Sequence, residues 1–256
     1  MRLNGKTAVV TGGGQGIGAA VARALADAGA SVLIAGRTLS KLERLAEELR
    51  EEGRNVWGAA CDVSDPAAIT RLAAVAKEKL GPVDILVNNA GIAESAPIMR
   101  ISLDDWEKMI RVNATGPFLC LQAFLPDMLE RKWGRVVNVA SVAGLEGARY
   151  IAAYVASKHA LVGLTRAAAA ELKGTGVTVN AVCPGYVDTP MTASTIANIV
   201  RKTGKTADEA RAALLATMPG GRMVQPEEVA AVVLAQIADA SGDRNGEAVI
   251  IDGREA

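Results

Sequence analysis

The 256-residue sequence predicts an α/β fold: a doubly wound, seven-stranded parallel sheet with helices on both faces. Three observations carry that prediction. Short β-branched runs alternate with longer helical stretches, which is the signature of strand–helix–strand crossovers. Seven such strands joined by helical crossovers mean a parallel sheet covered on both faces. A glycine-rich turn joins the first run to the first helical stretch.

The elements follow in order. Residues 7–10 (Thr-Ala-Val-Val) form the first strand and 16–28 a helix opening on glycines. Residues 31–35 (Ser-Val-Leu-Ile-Ala) form the second strand, and 39–52 a helix. The third strand is 55–60, followed by a helix at 66–80 that starts on Pro66. The fourth strand, 83–87, leads to a helical stretch at 104–132, and the fifth, 135–139, to one at 152–173. After the sixth strand, 177–182, residues 188–222 form a mostly helical insertion, then a helix at 226–238 and the last strand, 248–251. No linker or repeat interrupts the chain, so residues 1–256 read as one domain. Ligands of open α/β sheets bind beyond the carboxyl ends of the strands, which makes 188–222 a candidate substrate lid.

Composition narrows the function classes. Half the residues are apolar but only 3% aromatic, so the core is built from Ala, Val, Leu and Ile. A formal net charge of zero gives no general pull toward nucleic acid or an anionic membrane. The opening Met1-Arg2-Leu3-Asn4-Gly5-Lys6 carries no signal-like segment, and the stretch 151–170 contains Lys158, His159 and Arg166, which excludes a membrane span. Cys61, Cys120 and Cys183 form no paired motif and read as reduced, buried thiols of a cytoplasmic protein. A single histidine argues against a metal site.

The turn after the first strand reads Thr11-Gly12-Gly13-Gly14-Gln15-Gly16-Ile17-Gly18. Glycines allow close backbone approach to a pyrophosphate, and the helix N-terminus favours its charge. The second strand ends Ala35-Gly36-Arg37-Thr38. A carboxylate there would select NAD; Arg37 and Thr38 instead offer a forked cation and a hydroxyl to a 2′-phosphate, so NADP(H) is the expected cofactor. Asp62 can accept a bond from an adenine amino group or cap the next helix, a task equally open to Ser64 or Asp65.

Tyr154 and Lys158 share a helix face, with Ser141 upstream at the end of an apolar run. Alone, such a pair is more often a surface contact. A neighbouring cation would lower the phenol from about 10 toward the working range. His159 lies about 100° around the same helix and should serve packing or an interface. Asn113 stands in Arg-Val-Asn-Ala-Thr-Gly-Pro, where a break in the helix would free backbone groups to bind water.

The ordered set Thr11-Gly-x-x-x-Gly-x-Gly18, Asp62-Val63, Asn88-Asn89-Ala90-Gly91, Asn113, Ser141, Tyr154-x-x-x-Lys158 and Pro184-Gly185 resembles the short-chain dehydrogenase/reductase family over nearly the whole chain. The resemblance implies a Rossmann-type domain. It implies Tyr154 as general acid/base, Ser141 as donor to the substrate oxygen, Lys158 on the nicotinamide ribose, and Asn113 holding a relay water. Asn89, Ala90 and Gly91 would support the cofactor, with Val187 and Thr189 on its carboxamide. Intact catalytic residues argue against a non-catalytic NADP-binding sensor.

For substrate, residues 179–191 and 220–229 are similar to β-ketoacyl thioester and polyketide reductases, and 201–206 to some 3-hydroxyacyl-CoA dehydrogenases. A 3-oxoacyl thioester is therefore expected, with a free ketone or diketone as the alternative. In the lid, Met191, Thr192, Ile196 and Ile199 could line an apolar slot, and Arg201, Lys202 and Lys205 could attract a phosphate-bearing carrier or form a solvated surface. The helix at 152–173 is apolar or small around almost its full circumference, which predicts burial against a second subunit; the family resemblance implies a homotetramer.

Overall fold

A computed structural model describes residues 2–239 and 242–254, so the outermost residues of the expected 1–256 unit lie outside the described set. Seven parallel strands run in the order β3-β2-β1-β4-β5-β6-β7. They are β1 (Thr7–Thr11), β2 (Ser31–Gly36), β3 (Val56–Ala60), β4 (Ile85–Asn88), β5 (Gly134–Val139), β6 (Val177–Pro184) and β7 (Ala248–Ile251). The chain winds outward in one direction from β1 to β3, then crosses back to β4 and winds the other way. That reversal leaves a crevice at the carboxyl ends of β1 and β4.

Alternate residues of each strand face opposite layers. Ala8, Val10, Val32, Ile34, Ile85 and Val87 pack with α1 (Gly16–Asp27), α2 (Leu39–Glu51) and α9 (Pro226–Ala238). Val9, Leu33, Leu86, Val136, Val177 and Val179 pack with α3 (Pro66–Leu80), α5 (Gly116–Glu130) and α6 (Ala152–Glu171). Both layers are aliphatic, as the scarcity of aromatics requires.

Three elements depart from expectation: strand β4 starts two residues later than 83–87 predicts, and β6 and the helix at 104–132 also differ. Strand β6 runs two residues further, because Cys183 and Pro184 still pair with Ile250 and Ile251 of β7. The stretch expected as one helix at 104–132 is three pieces: α4 (Leu103–Ile110), a π-helical segment (Arg111–Thr115) and α5. Wider i→i+5 turns admit one extra residue, and the Gly116 amide reaches back to the Arg111 carbonyl. The insertion after β6 is helical, as expected: α7 (Pro190–Thr203) ends on a left-handed Gly204, and α8 (Ala207–Leu215) opens with a Thr206–Glu209 capping box. Among the described residues no helix is long and apolar enough to cross a membrane, and no group of metal-ligand side chains gathers.

Candidate active site

A cleft of about 670 Å³ opens at the crevice. Its floor at one end is the glycine turn between β1 and α1. Gly12 has φ +67°, and a Cβ there would lie 2.8 Å from the Asn89 side-chain nitrogen and 2.9 Å from Ala90 Cα. Any larger residue would therefore force the turn away from the end of β4. The two strand ends are stitched by Thr11 and Asn89: Thr11 Oγ1 accepts from the Asn89 and Ala90 amides at 3.0 and 3.1 Å, and Asn89 Nδ2 donates to the Thr11 and Gly12 carbonyls at 2.9 and 3.1 Å. Helix α1 begins with no side-chain cap and no acidic residue in its first turn. Its amide end faces the cleft and suits an anion.

Gly14, Gln15, Gly16, Ile17, Arg37, Thr38, Asp62, Val63, Asn89, Ala90, Gly91, Pro184, Gly185, Val187 and Thr189 all line this cleft with Gly12. Gly18 does not. It sits beneath the turn, where a Cβ would run into the Gly12 carbonyl, so its expected place against a cofactor is corrected to a packing one. Asp62 is not the cap of α3; Asp65 is, accepting from the Ala67 amide at 2.9 Å. The Asp62 carboxylate holds the Ser64 hydroxyl and amide at 2.7 and 2.9 Å. The Ser64 hydroxyl bond and the nearby Arg37 keep it below the usual carboxylate range, against the opposing effect of burial. Sequence reasoning missed Lys41 in the first turn of α2, which reaches back to Gln15 Oε1 at 2.8 Å and lines the cleft beside Arg37.

The other end of the cleft is walled by Ser141, Tyr154 and Lys158. Ser141 follows β5 and caps a short turn, Val142–Gly144. That turn lies directly on α6: a Cβ on Gly144 would stand 2.8 Å from the Lys158 carbonyl oxygen. Only glycine lets the Ser141 turn come this close to the helix bearing Tyr154 and Lys158. Helix α6 is itself seated on the sheet by a buried polar ladder, from Asn88 Nδ2 to Asn138 Oδ1 and from Asn138 Nδ2 to Thr165 Oγ1, both 2.9 Å.

Lys158 is 4% exposed and donates to the Val139 carbonyl at 2.8 Å, with its Nζ 5.7 Å from the centroid of the Tyr154 ring. Burial pulls the Lys158 ammonium down to about 8. Burial also pushes the half-buried Tyr154 phenol up to about 12, against the opposing bond from Ser141. The lowering expected from a neighbouring cation is thus overturned in the protein on its own: the ammonium is turned to a backbone carbonyl, and desolvation of the phenolate wins. Beneath the wall, the buried Cys183 thiol is raised to about 11 by desolvation, an inert group as expected.

Asn113 lies outside the cleft lining and is fully buried behind it. A Cβ on Gly91 would be 3.3 Å from Asn113 Oδ1 and 3.7 Å from Lys158 Nζ, which places Asn113 just behind the lysine. His159 is exposed, and its Nδ1 meets the Val155 carbonyl at 3.0 Å. In the lid, Met191 and Thr192 line the cleft, but Ile196 and Ile199 do not. Lys202 donates to the Ser95 carbonyl at 2.6 Å, and Arg201 to Asn198 at 2.8 Å. Two of the three cations expected to attract a phosphate are spent on contacts within the protein.

A family model described as short chain dehydrogenase matches residues 6–199. A solved structure of an actinorhodin polyketide ketoreductase variant with NADPH superposes with a TM-score of 0.93 at 40% identity, covering 97% of this chain and 96% of that one. The D-beta-hydroxybutyrate dehydrogenase of Cupriavidus necator is 37% identical over 98% of both chains. The 3-oxoacyl-[acyl-carrier-protein] reductase of Thermotoga maritima is 36% identical over 99% of this chain and 98% of its own.

Proposed function

The chain belongs to the short-chain dehydrogenase family, and from that premise we propose that it is an NADPH-dependent reductase of ketones whose leading substrate is a 3-oxoacyl thioester. One observation carries the reading: a single cleft has an anion-suited glycine turn with Arg37 at one end and Ser141, Tyr154 and Lys158 at the other. The thioester rests on the named relatives, one reducing 3-oxoacyl groups on a carrier protein and another a polyketide.

The residues present fit a dinucleotide phosphate. Its pyrophosphate would lie on the Gly12–Ile17 turn at the amide end of α1, and its 2′-phosphate by Arg37, Thr38 and Lys41. Asp62 and Val63 would flank the adenine; Val187 and Thr189 would meet the carboxamide. When bound, the dinucleotide supplies hydride to the carbonyl carbon.

Negative charge then develops on the former carbonyl oxygen. Ser141 and Tyr154 donate to that oxygen, and Tyr154 delivers the proton. A phenol raised to about 12 stays protonated through the working range, as a proton donor must. The Lys158 ammonium would hold the ribose and favour the phenolate left behind.

A pH profile tests this arrangement. A lysine lowered by burial is charged below about 8 and neutral above it. Hence kcat/KM for reduction is expected to hold level up to about pH 8 and fall as pH rises further, with no acid limb from Tyr154. Initial rates that climb through that range would remove Lys158 from the mechanism.

Substrate class is tested by NADPH-dependent rates over acetoacetyl-CoA, longer 3-oxoacyl thioesters, cyclic ketones and diketones. The highest kcat/KM is expected on a thioester; preference for a free ketone would correct the substrate class, and no NADPH oxidation on any of them would leave a cofactor-binding protein without turnover. Exposed Ala160, Gly163, Ala167 and Ala170 on α6 support a homo-oligomer, read as a tetramer. A monomer by sedimentation would remove it.

A further inference from the structure

Ser157 sits one residue before Lys158 and is fully buried, yet it does not touch the cleft. Its hydroxyl donates to the Tyr154 carbonyl at 2.7 Å and accepts from Asn113 Nδ2 at 3.0 Å. Asn113 in turn grips the loop after β4: Nδ2 donates to the Ile92 carbonyl at 2.9 Å, and Oδ1 accepts from the Ile92 amide at 2.9 Å. Four hydrogen bonds therefore run without a gap from the β4 loop, through the π-helical segment, into α6. Their directions are forced. The Ile92 amide can only donate and its carbonyl only accept, which fixes the Asn113 amide, and both Asn113 hydrogens are then committed. The one acceptor meeting the second hydrogen is Ser157, and its own hydrogen is taken by Tyr154.

We propose that Ser157 is a positioning residue of the reductase, holding the Asn113 segment in fixed register with the helix that presents Tyr154 and Lys158. The proposal rests on the reading of the cleft given above. Removing the hydroxyl leaves an Asn113 hydrogen without its partner in a fully buried site, so the amide must shift or drag Ile92 with it. The wall behind Lys158 Nζ then loses its fixed distance from the phenol. A small displacement of a catalytic group is enough to slow chemistry without weakening binding.

The test uses Ser157→Ala, Ser157→Thr, Asn113→Ala and the Asn113→Ala/Ser157→Ala pair, with wild type and Tyr154→Phe as controls. Ser157→Ala is expected to lose roughly tenfold or more in kcat, with both KM values within about twofold. In the protein without cofactor, amide hydrogen exchange at Ile92 should rise. Ser157→Thr should restore most of kcat, and the double variant should be no slower than Asn113→Ala alone, because both cut one connection. The proposal is overturned if Ser157→Ala keeps wild-type kcat. It is equally overturned if its loss tracks a lower melting temperature, leaves Ile92 exchange unchanged and is not restored by threonine. If Tyr154→Phe is inactive while Ser157→Ala is normal, only the Ser157 role fails. If Tyr154→Phe is fully active, the reading of the cleft fails and the Ser157 role with it.

Discussion

Tyr154→Phe is expected to lower NADPH-dependent ketone reduction by ~10²–10⁴-fold while NADPH affinity stays within about twofold. The substitution removes one oxygen and keeps the ring, so the packing of α6 is preserved. What disappears is the proton donor at the position where charge develops, together with one of two hydrogen bonds to that oxygen. The remaining donor, Ser141, has its oxygen accepting from the Ala143 amide at 3.2 Å, which leaves its hydrogen available to donate. It can polarise a carbonyl, but the acid that would deliver the proton to the developing alkoxide is gone. Stopped-flow rates of NADPH oxidation together with fluorescence titration of NADPH separate the two quantities. Near-full turnover in this variant would move the proton-donor role elsewhere in the cleft.

Arg37→Glu is expected to reduce kcat/KM with NADPH by about 10²-fold and to leave the value with NADH unchanged or higher. Alanine would be a weaker test, since Lys41 stays in the same end of the cleft. A carboxylate at position 37 both repels a 2′-phosphate and draws the Lys41 ammonium to itself. It also resembles the acidic side chain that bonds a free ribose hydroxyl in NAD-specific sites. Initial rates with the two dinucleotides, before and after substitution, decide it. Equal rates in the unaltered protein would already overturn the Arg37 argument.

The central strands were legible because they are buried on both faces, and such strands are written mainly in Val, Ile, Leu and Ala whatever surrounds them. The glycine turn was legible for a related reason: its backbone geometry admits few other residues. Gly18 shows the boundary of that logic, since spacing says that a glycine is required without saying whether a ligand or a carbonyl excludes its Cβ. The polar connections were not legible. Ser157 is unremarkable on a helix until Asn113, 44 residues earlier, is folded against it. The contact of the lid cation Lys202 was hidden in the same way, because Ser95 lies about a hundred positions away from it. The phenol failed on energetics: spacing brings a cation near, but only the folded surroundings say how much water the phenolate loses.

The π-helical segment sets the phase of α5. An i→i+5 turn is a single-residue insertion, so every side chain of α5 stands about 100° from where an unbroken α-helix would put it. With the insertion, Cys120, Leu121, Phe124 and Met128 point into the core and Phe118 to the surface. Straightening Arg111–Thr115 into α-helix with every residue kept would rotate that apolar stripe off the sheet, whereas deleting one residue of the segment would restore a continuous helix with the stripe in place. At this chain length, the local irregularity behind Lys158 and the phase of α5 are one and the same choice.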